Sequence, residues 1–144
     1  MKEQDPRVVD LGGRLGKRDV GRGAIVNIGS LLAIGVLPGK APYVTSKHAL
    51  TGITKAAAMD LKPYGIRVNQ VNPTWVQTPM FEEECRRRPK TKTIVKDHLP
   101  LKRAVLPDEI AAVCVYLCSP ASLAVNGHGL AIDDGLLVGQ KSGV

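Results

Sequence analysis

Ser30, Tyr43 and Lys47 are the residues of this chain whose types and spacing could together move a proton. Tyr43 and Lys47 stand four positions apart, which on a helix puts a phenol and an ammonium on one face. A free phenol, with a pKa of about 10, exchanges protons poorly at neutral pH, and a neighbouring positive charge favours its phenolate. So placed, Tyr43 could serve as general acid or base. Ser30, just past the end of a predicted strand, could hydrogen-bond the oxygen of a carbonyl or alcohol while Tyr43 exchanges its proton. The hydride of such a reaction would have to come from elsewhere. The YxxxK spacing also recurs by chance in many helices, and by itself it fits a surface lysine beside a half-buried tyrosine more often than a catalytic pair. The surrounding elements have to decide.

Those elements read as strand, helix, strand. AIVNI (24–28) is short, β-branched and apolar on both faces, as in a buried parallel strand. LLAIGVLPGKAP reads as a loop, with Pro42 placed for the first turn of a helix. From Tyr43 to about Lys62, Leu50, Ile53, Ala57 and Leu61 recur at helical spacing, and Pro63, Tyr64 and Gly65 supply a stop. IRVNQVNP (66–73) resumes the strand pattern, and the connection is long enough for a right-handed crossover between parallel strands. Residues 74–106, polar and interrupted by Pro79, Pro89 and Pro100, read as a mobile excursion with short helical pieces. A helix is expected over Pro107–Cys118 and a last short strand over Gly129–Asp133. Residues 1–23 lack periodicity and read as a helix remnant at Met1–Gln4 followed by a long loop.

Composition narrows the class. At 144 residues with 44% apolar content the chain fits one modest domain with a real core. No apolar run approaches the roughly 20 residues a membrane helix needs. Cys85, Cys114 and Cys118 form neither a CxxC pair nor an even disulfide framework, and no signal-peptide pattern opens the chain, so a cytoplasmic address is expected. The net charge of +7 raises nucleic acid as a partner, but the basic residues are scattered apart from Arg86–Arg88 and the lysines of 90–96. Aromatic residues, at 3%, leave little for bases to stack on, so a solvated loop face is the expectation and no nucleic acid is expected.

With these blocks in order, the sequence resembles the short-chain dehydrogenase/reductase family from about Ala24 to Gly139. IVNIGS is similar to the family's IVNISS strand, YVTSKHALTGITKAAAMDL to its YxxSK helix, and GIRVNQVNPTWVQTP to its GIRVNxxxPGxxxTP segment. PDEIAAVCVYLCSP and NGHGLAIDDG resemble its later helix and its terminal strand with VDGG. The thirteen positions from Ser30 to Tyr43 are also the family's interval.

The resemblance implies an α/β fold, a partial Rossmann-like doubly wound parallel sheet comprising the family's last three strands with two main helices. It implies an oxidoreductase that transfers hydride between NAD or NADP and a small-molecule carbonyl/alcohol substrate. By it, Ser30 orients the substrate oxygen, Tyr43 transfers the proton, and Lys47 acts on the phenol and hydrogen-bonds the nicotinamide ribose. It places the nicotinamide end of the cofactor against Tyr43, Lys47, Pro73, Thr74, Trp75, Val76 and Thr78, with Val76 and Thr78 the best matched. Thr74 stands where the family has Gly, so crowding of the ring or a strained backbone is expected there. Gly29 replaces a Ser and Asp134 a Gly, both expected to be tolerated. The Ala-rich face of the Tyr43 helix resembles the surface through which members dimerise, so homo-oligomers are expected of full-length relatives.

Two family features are missing from the sequence. One is the glycine-rich TGxxxGxG turn that binds the pyrophosphate, since Gly12-Gly13 is expected to follow no strand. The other is the NNAG segment, with the Asn that precedes IVNIS. The chain therefore reads as a C-terminal catalytic half, with 24–140 a truncated domain and 141–144 a tail. A catalytically inactive fragment, at most an interaction partner, is the competing expectation.

Overall fold

The computed structural model describes residues 1–14 and 16–138. Its centre is a three-stranded parallel sheet in the order β3 (Gly23–Ile28), β4 (Ile66–Pro73), β5 (Gly129–Ile132). The register pairs Gly23 with Ile66 and Ile28 with Val71 on one side of β4, and Gln70 with Gly129 and Pro73 with Ile132 on the other. Parallel neighbours need crossovers, and these are supplied by α1 (Ala41–Leu61) between β3 and β4 and by α4 (Pro107–Cys118) before β5. The expected α/β architecture with its last strands parallel is therefore present.

β4 is the central strand, and six of its eight residues, Val68–Pro73, with Ile66 form the most buried stretch of the chain. On one side Val71, at 0% exposure, packs with Val105, Ile110 and Leu117, so α4 closes that face. The other face carries α1, where the expected stripe is met in part: Leu50, Ala57 and Leu61 are half-buried. Thr54 and Ala58 are the buried residues of α1, while Ile53 is 60% exposed. The sheet beneath α1 presents amide side chains, and a threonine hydroxyl satisfies them where an isoleucine would leave them unpaired.

The helix limits follow from local chemistry. Pro42 sits in the first turn of α1, and Gly65 ends the 3₁₀ turn Lys62–Tyr64 with a φ of 64°, a left-handed conformation that glycine adopts without Cβ strain. A further 3₁₀ turn, Leu31–Ala33, forms inside the predicted loop, with Ser30 as its N-cap.

Two segments differ from expectation. The helix remnant expected at Met1–Gln4 is not helical, and β1 (Val8–Asp10) pairs antiparallel with β2 (Lys17–Asp19). Strands of three mostly exposed residues leave no apolar alternation in the sequence, and the turn is made by Gly12, Gly13 and Gly16, all at positive φ. The 74–106 excursion has a core of its own: α2 (Pro79–Arg87) and α3 (Lys90–His98) bury Phe81, Cys85, Val95, Leu99 and Ala104, with Trp75 against them. α2 contributes an i, i+4 apolar pair, Phe81 with Cys85, and α3 contributes Val95 with Leu99 capping its end, too few for the surrounding charges to read as core. The expected 141–144 tail lies outside the described residues.

Candidate active site

β3 and β4 end side by side, and their carboxyl ends carry the candidate residues. Ser30 follows β3 in extended conformation and caps the 3₁₀ turn, its Oγ accepting from the Leu32 N–H at 3.1 Å. That turn packs against α1, which brings Ser30 to the helix bearing Tyr43 and Lys47. The Lys47 ammonium donates to the Ile28 carbonyl at 3.1 Å and lies 5.6 Å from the centre of the Tyr43 ring. Lys47 is thus bonded to the strand end and stands over the Tyr43 ring one turn before it. Tyr43 is 41% exposed, open to an incoming molecule.

Pro73–Thr78 leads out from the carboxyl end of β4. Thr74 donates its N–H to Ile132 O at 3.1 Å and has no positive φ, so the strain expected of a side chain in place of glycine is absent. Trp75 packs into the α2–α3 core and Val76 into the core under the sheet, so their side chains serve packing. Val76 bridges Val105 in parallel, with the flanking Trp75 carbonyl and Gln77 N–H bonding Val105. This turns the Val76 N–H to the opposite side. Thr78 caps α2, its Oγ accepting from Phe81 N at 3.4 Å and donating to Val76 O at 3.1 Å.

Beneath the strand end lies a polar network that the motif reading did not single out. Asn27 donates to Thr54 Oγ at 2.9 Å; the Thr54 hydroxyl lies 2.8 Å from Leu50 O and 3.0 Å from Gln70 Oε1, its one proton serving either. Gln70 Nε2 donates to Thr51 Oγ at 3.2 Å and to Asn72 Oδ1 at 2.5 Å. A Cβ at Gly29 would press on both Asn72 Oδ1 and Gln70 Nε2, closer than the 3.0 Å that real Cβ atoms keep. Gly29 is therefore required by its neighbours. The available signal was two long polar residues, Gln70 and Asn72, in an otherwise strand-like run opposite a glycine.

Asp134, in place of glycine, takes a left-handed φ of 53° and offsets it by accepting the Leu101 N–H at 2.6 Å. An ion pair, Lys40 to Glu84 at 3.2 Å, joins the residue capping α1 to α2.

Ser30 and the Lys47 ammonium, with the Tyr43 ring beside it, lie near the carboxyl end of β3, the end at which open α/β sheets bind ligands. The pyrophosphate of a dinucleotide has no cradle among the described residues. A strand, β1, does precede Gly12-Gly13, contrary to expectation, but the turn runs into β2 and not into a helix whose N-terminus could meet phosphate.

Comparison with known proteins agrees with this architecture. Residues 13–137 match the family model described as enoyl-(acyl carrier protein) reductase. Among curated relatives, the short-chain dehydrogenase fogB of Aspergillus ruber is 42% identical over 94% of this chain and 49% of its own length. The short-chain dehydrogenase anuF of Penicillium roqueforti is 40% identical over 94% and 48%. Of solved structures, an actinorhodin polyketide ketoreductase variant with NADPH superposes with a TM-score of 0.75 at 35% identity, covering 81% of this chain and 48% of that one. A gluconate 5-dehydrogenase from Burkholderia cenocepacia, in complex with NADP and tartrate, gives 0.77 at 30% identity, covering 83% and 47%. The chain spans about half the length of the curated relatives it matches.

Proposed function

The chain belongs to the short-chain dehydrogenase/reductase family, and from that premise we propose that it carries the proton-transfer half of a nicotinamide-dependent carbonyl/alcohol oxidoreductase. The observation that carries the reading is Lys47, bonded to the Ile28 carbonyl at 3.1 Å and held 5.6 Å from the Tyr43 ring, with Ser30 two residues beyond Ile28.

In this reading the Ser30 hydroxyl donates to the oxygen of a small carbonyl substrate and fixes its position. Tyr43 Oη gives that oxygen its proton in reduction and takes it back in oxidation. The Lys47 ammonium stabilises the negative charge left on the phenolic oxygen and has donors in reserve for a ribose hydroxyl. NAD or NADP, when bound, supplies or accepts the hydride. The Val76 N–H and the 73–78 backbone would hold the carboxamide, and the Thr78 hydroxyl, already capping α2, would add to them.

The polar network under Gly29 and the Lys40–Glu84 pair set the position of the site, the first from the core and the second from α2. Substrate selection then falls to α2 and α3. The exposed Ile53 and Met59 on the outer face of α1 support self-association of the homo-oligomeric kind expected of relatives. No described helix is long and apolar enough to cross a membrane.

A second reading, a catalytically inactive chain acting at most as an interaction partner, is favoured by one observation: β1–Gly12-Gly13–β2 is a hairpin and supplies no phosphate-binding helix. Titration with NADPH or NADH separates the two, saturable binding with turnover of a carbonyl substrate removing the inactive reading. In a chain with turnover, Tyr43→Phe should abolish it while binding persists; undiminished turnover would remove Tyr43 from the proton path.

A further inference from the structure

A cleft of about 120 Å³ lies at the far end of the sheet from Ser30, bordered by the amino ends of β3 and β4 and the loop after α4. Arg7, Gly23, Ala24, Arg67 and Ser119 are among the residues lining it, and no described carboxylate does so. Arg67 reaches the cleft from β4. One of its terminal nitrogens donates to Val125 O at 3.2 Å and the other to Ser119 O at 3.3 Å, both neutral carbonyls. Its Nε is buried and has no acceptor among the described residues. Burial pushes the guanidinium below the usual arginine range, and the nearby Cys118 and Tyr116 act in the other direction.

A partly desolvated cation without a counter-charge is costly, and an anion that supplies one recovers that cost. The planar guanidinium fork matches the oxygens of phosphate, which can accept from two nitrogens at once. Arg7, exposed and making no ion pair with a described residue, brings a second positive charge to the same cleft.

We propose that this cleft is an oxyanion site in which Arg67 and Arg7 together hold a phosphate group. It lies apart from Ser30, Tyr43 and Lys47, and stands or falls independently of the hydride-transfer reading.

The test is titration of inorganic phosphate into the full chain at constant ionic strength, with chloride as the balancing salt, following backbone amide shifts and melting temperature. Expected are saturable shifts at Gly23, Ala24, Arg67 and Ser119 and a rising melting temperature. Arg7→Gln, on an exposed segment, should weaken phosphate binding about tenfold, the equivalent of one charge-assisted hydrogen bond. Arg67→Lys keeps the charge but loses the fork, and should weaken it at least as much. Adenosine 5′-monophosphate in a parallel arm distinguishes a nucleotide phosphate, which binds tighter than inorganic phosphate, from free phosphate, which binds no more weakly. Shifts that never saturate, that chloride alone reproduces, or that Arg7→Gln leaves unchanged would overturn the site.

Discussion

Gly29→Ala is a demanding change beside the candidate site, because the added methyl would press on two buried amide ends that are hydrogen-bonded to each other. It would meet Asn72 Oδ1 and Gln70 Nε2, side chains that are 1% and 0% exposed and bonded to each other at 2.5 Å. Gln70 cannot swing away without releasing Thr51 and Thr54. Asn72 is closed in on its other side, where a Cβ on Gly129 would already lie 2.9 Å from Nδ2. Gly29 has no positive φ, so the backbone itself would accept alanine and the cost is one of packing and hydrogen bonding.

Overpacking costs about 1–3 kcal/mol, and a buried amide left without its partner another 1–3 kcal/mol, so a loss of roughly 2–6 kcal/mol is expected. Urea unfolding followed by circular dichroism measures it through the midpoint at constant slope. The same change in an Asn72→Ala, Gln70→Ala background should cost less than about 1 kcal/mol, since the obstructing atoms are gone. A Gly29→Ala loss below about 0.5 kcal/mol, or an equal loss in both backgrounds, would refute the steric coupling.

Three further outcomes follow from the same physical account. The Arg103 guanidinium, hydrogen-bonded at 2.8 and 2.9 Å, and then the Leu106 N–H hold the Glu109 carboxyl down to about 2. A depressed carboxyl contributes stability that is fully present above its unfolded pKa of about 4.3 and is lost as pH falls toward 2, so melting temperatures across that window should fall less steeply in Glu109→Gln than in the parent. Leu117→Ala removes a side chain 1% exposed from the core against Val71 and should cost about 2–5 kcal/mol in urea, with a result under 1 kcal/mol contradicting its placement. Asp134→Ala loses the bond to Leu101 while keeping the left-handed φ, so it should be less stable than Asp134→Gly by about 1 kcal/mol in the same assay, and equal stability would show that φ carries no strain.

What the sequence revealed tracked how local each signal was. The strand over 66–73 and the helix over Pro107–Cys118 were expected within their observed limits, because β-branched runs and proline caps act on the residues that carry them. The positions of Ser30 at a strand end and of Tyr43 and Lys47 on one helix were legible for the same reason. The inward face of α1 was legible only in part: Leu50, Ala57 and Leu61 lie toward it, but Thr54 is buried by what Gln70 and Asn27 offer from the strands, and periodicity counts only apolar residues. The β1–β2 hairpin escaped because three positive-φ glycines define its turn while its strands carry no alternating pattern. That Gly29 replaces a Ser was legible, but not that the side chains facing it crowd out a Cβ, because no one-dimensional pattern reports a contact between positions 29, 70 and 72.

The central claim is that Ser30, Tyr43 and Lys47 form, at the carboxyl end of the sheet, a surface made to receive a nicotinamide ring. Isotope-labelled chain titrated with NADPH tests it most directly through chemical-shift changes. The account predicts saturable changes concentrated at Tyr43, Lys47, Val76 and Thr78, diminished in Lys47→Met. Saturable changes that avoid these residues, or a titration indifferent to Lys47→Met, would contradict it.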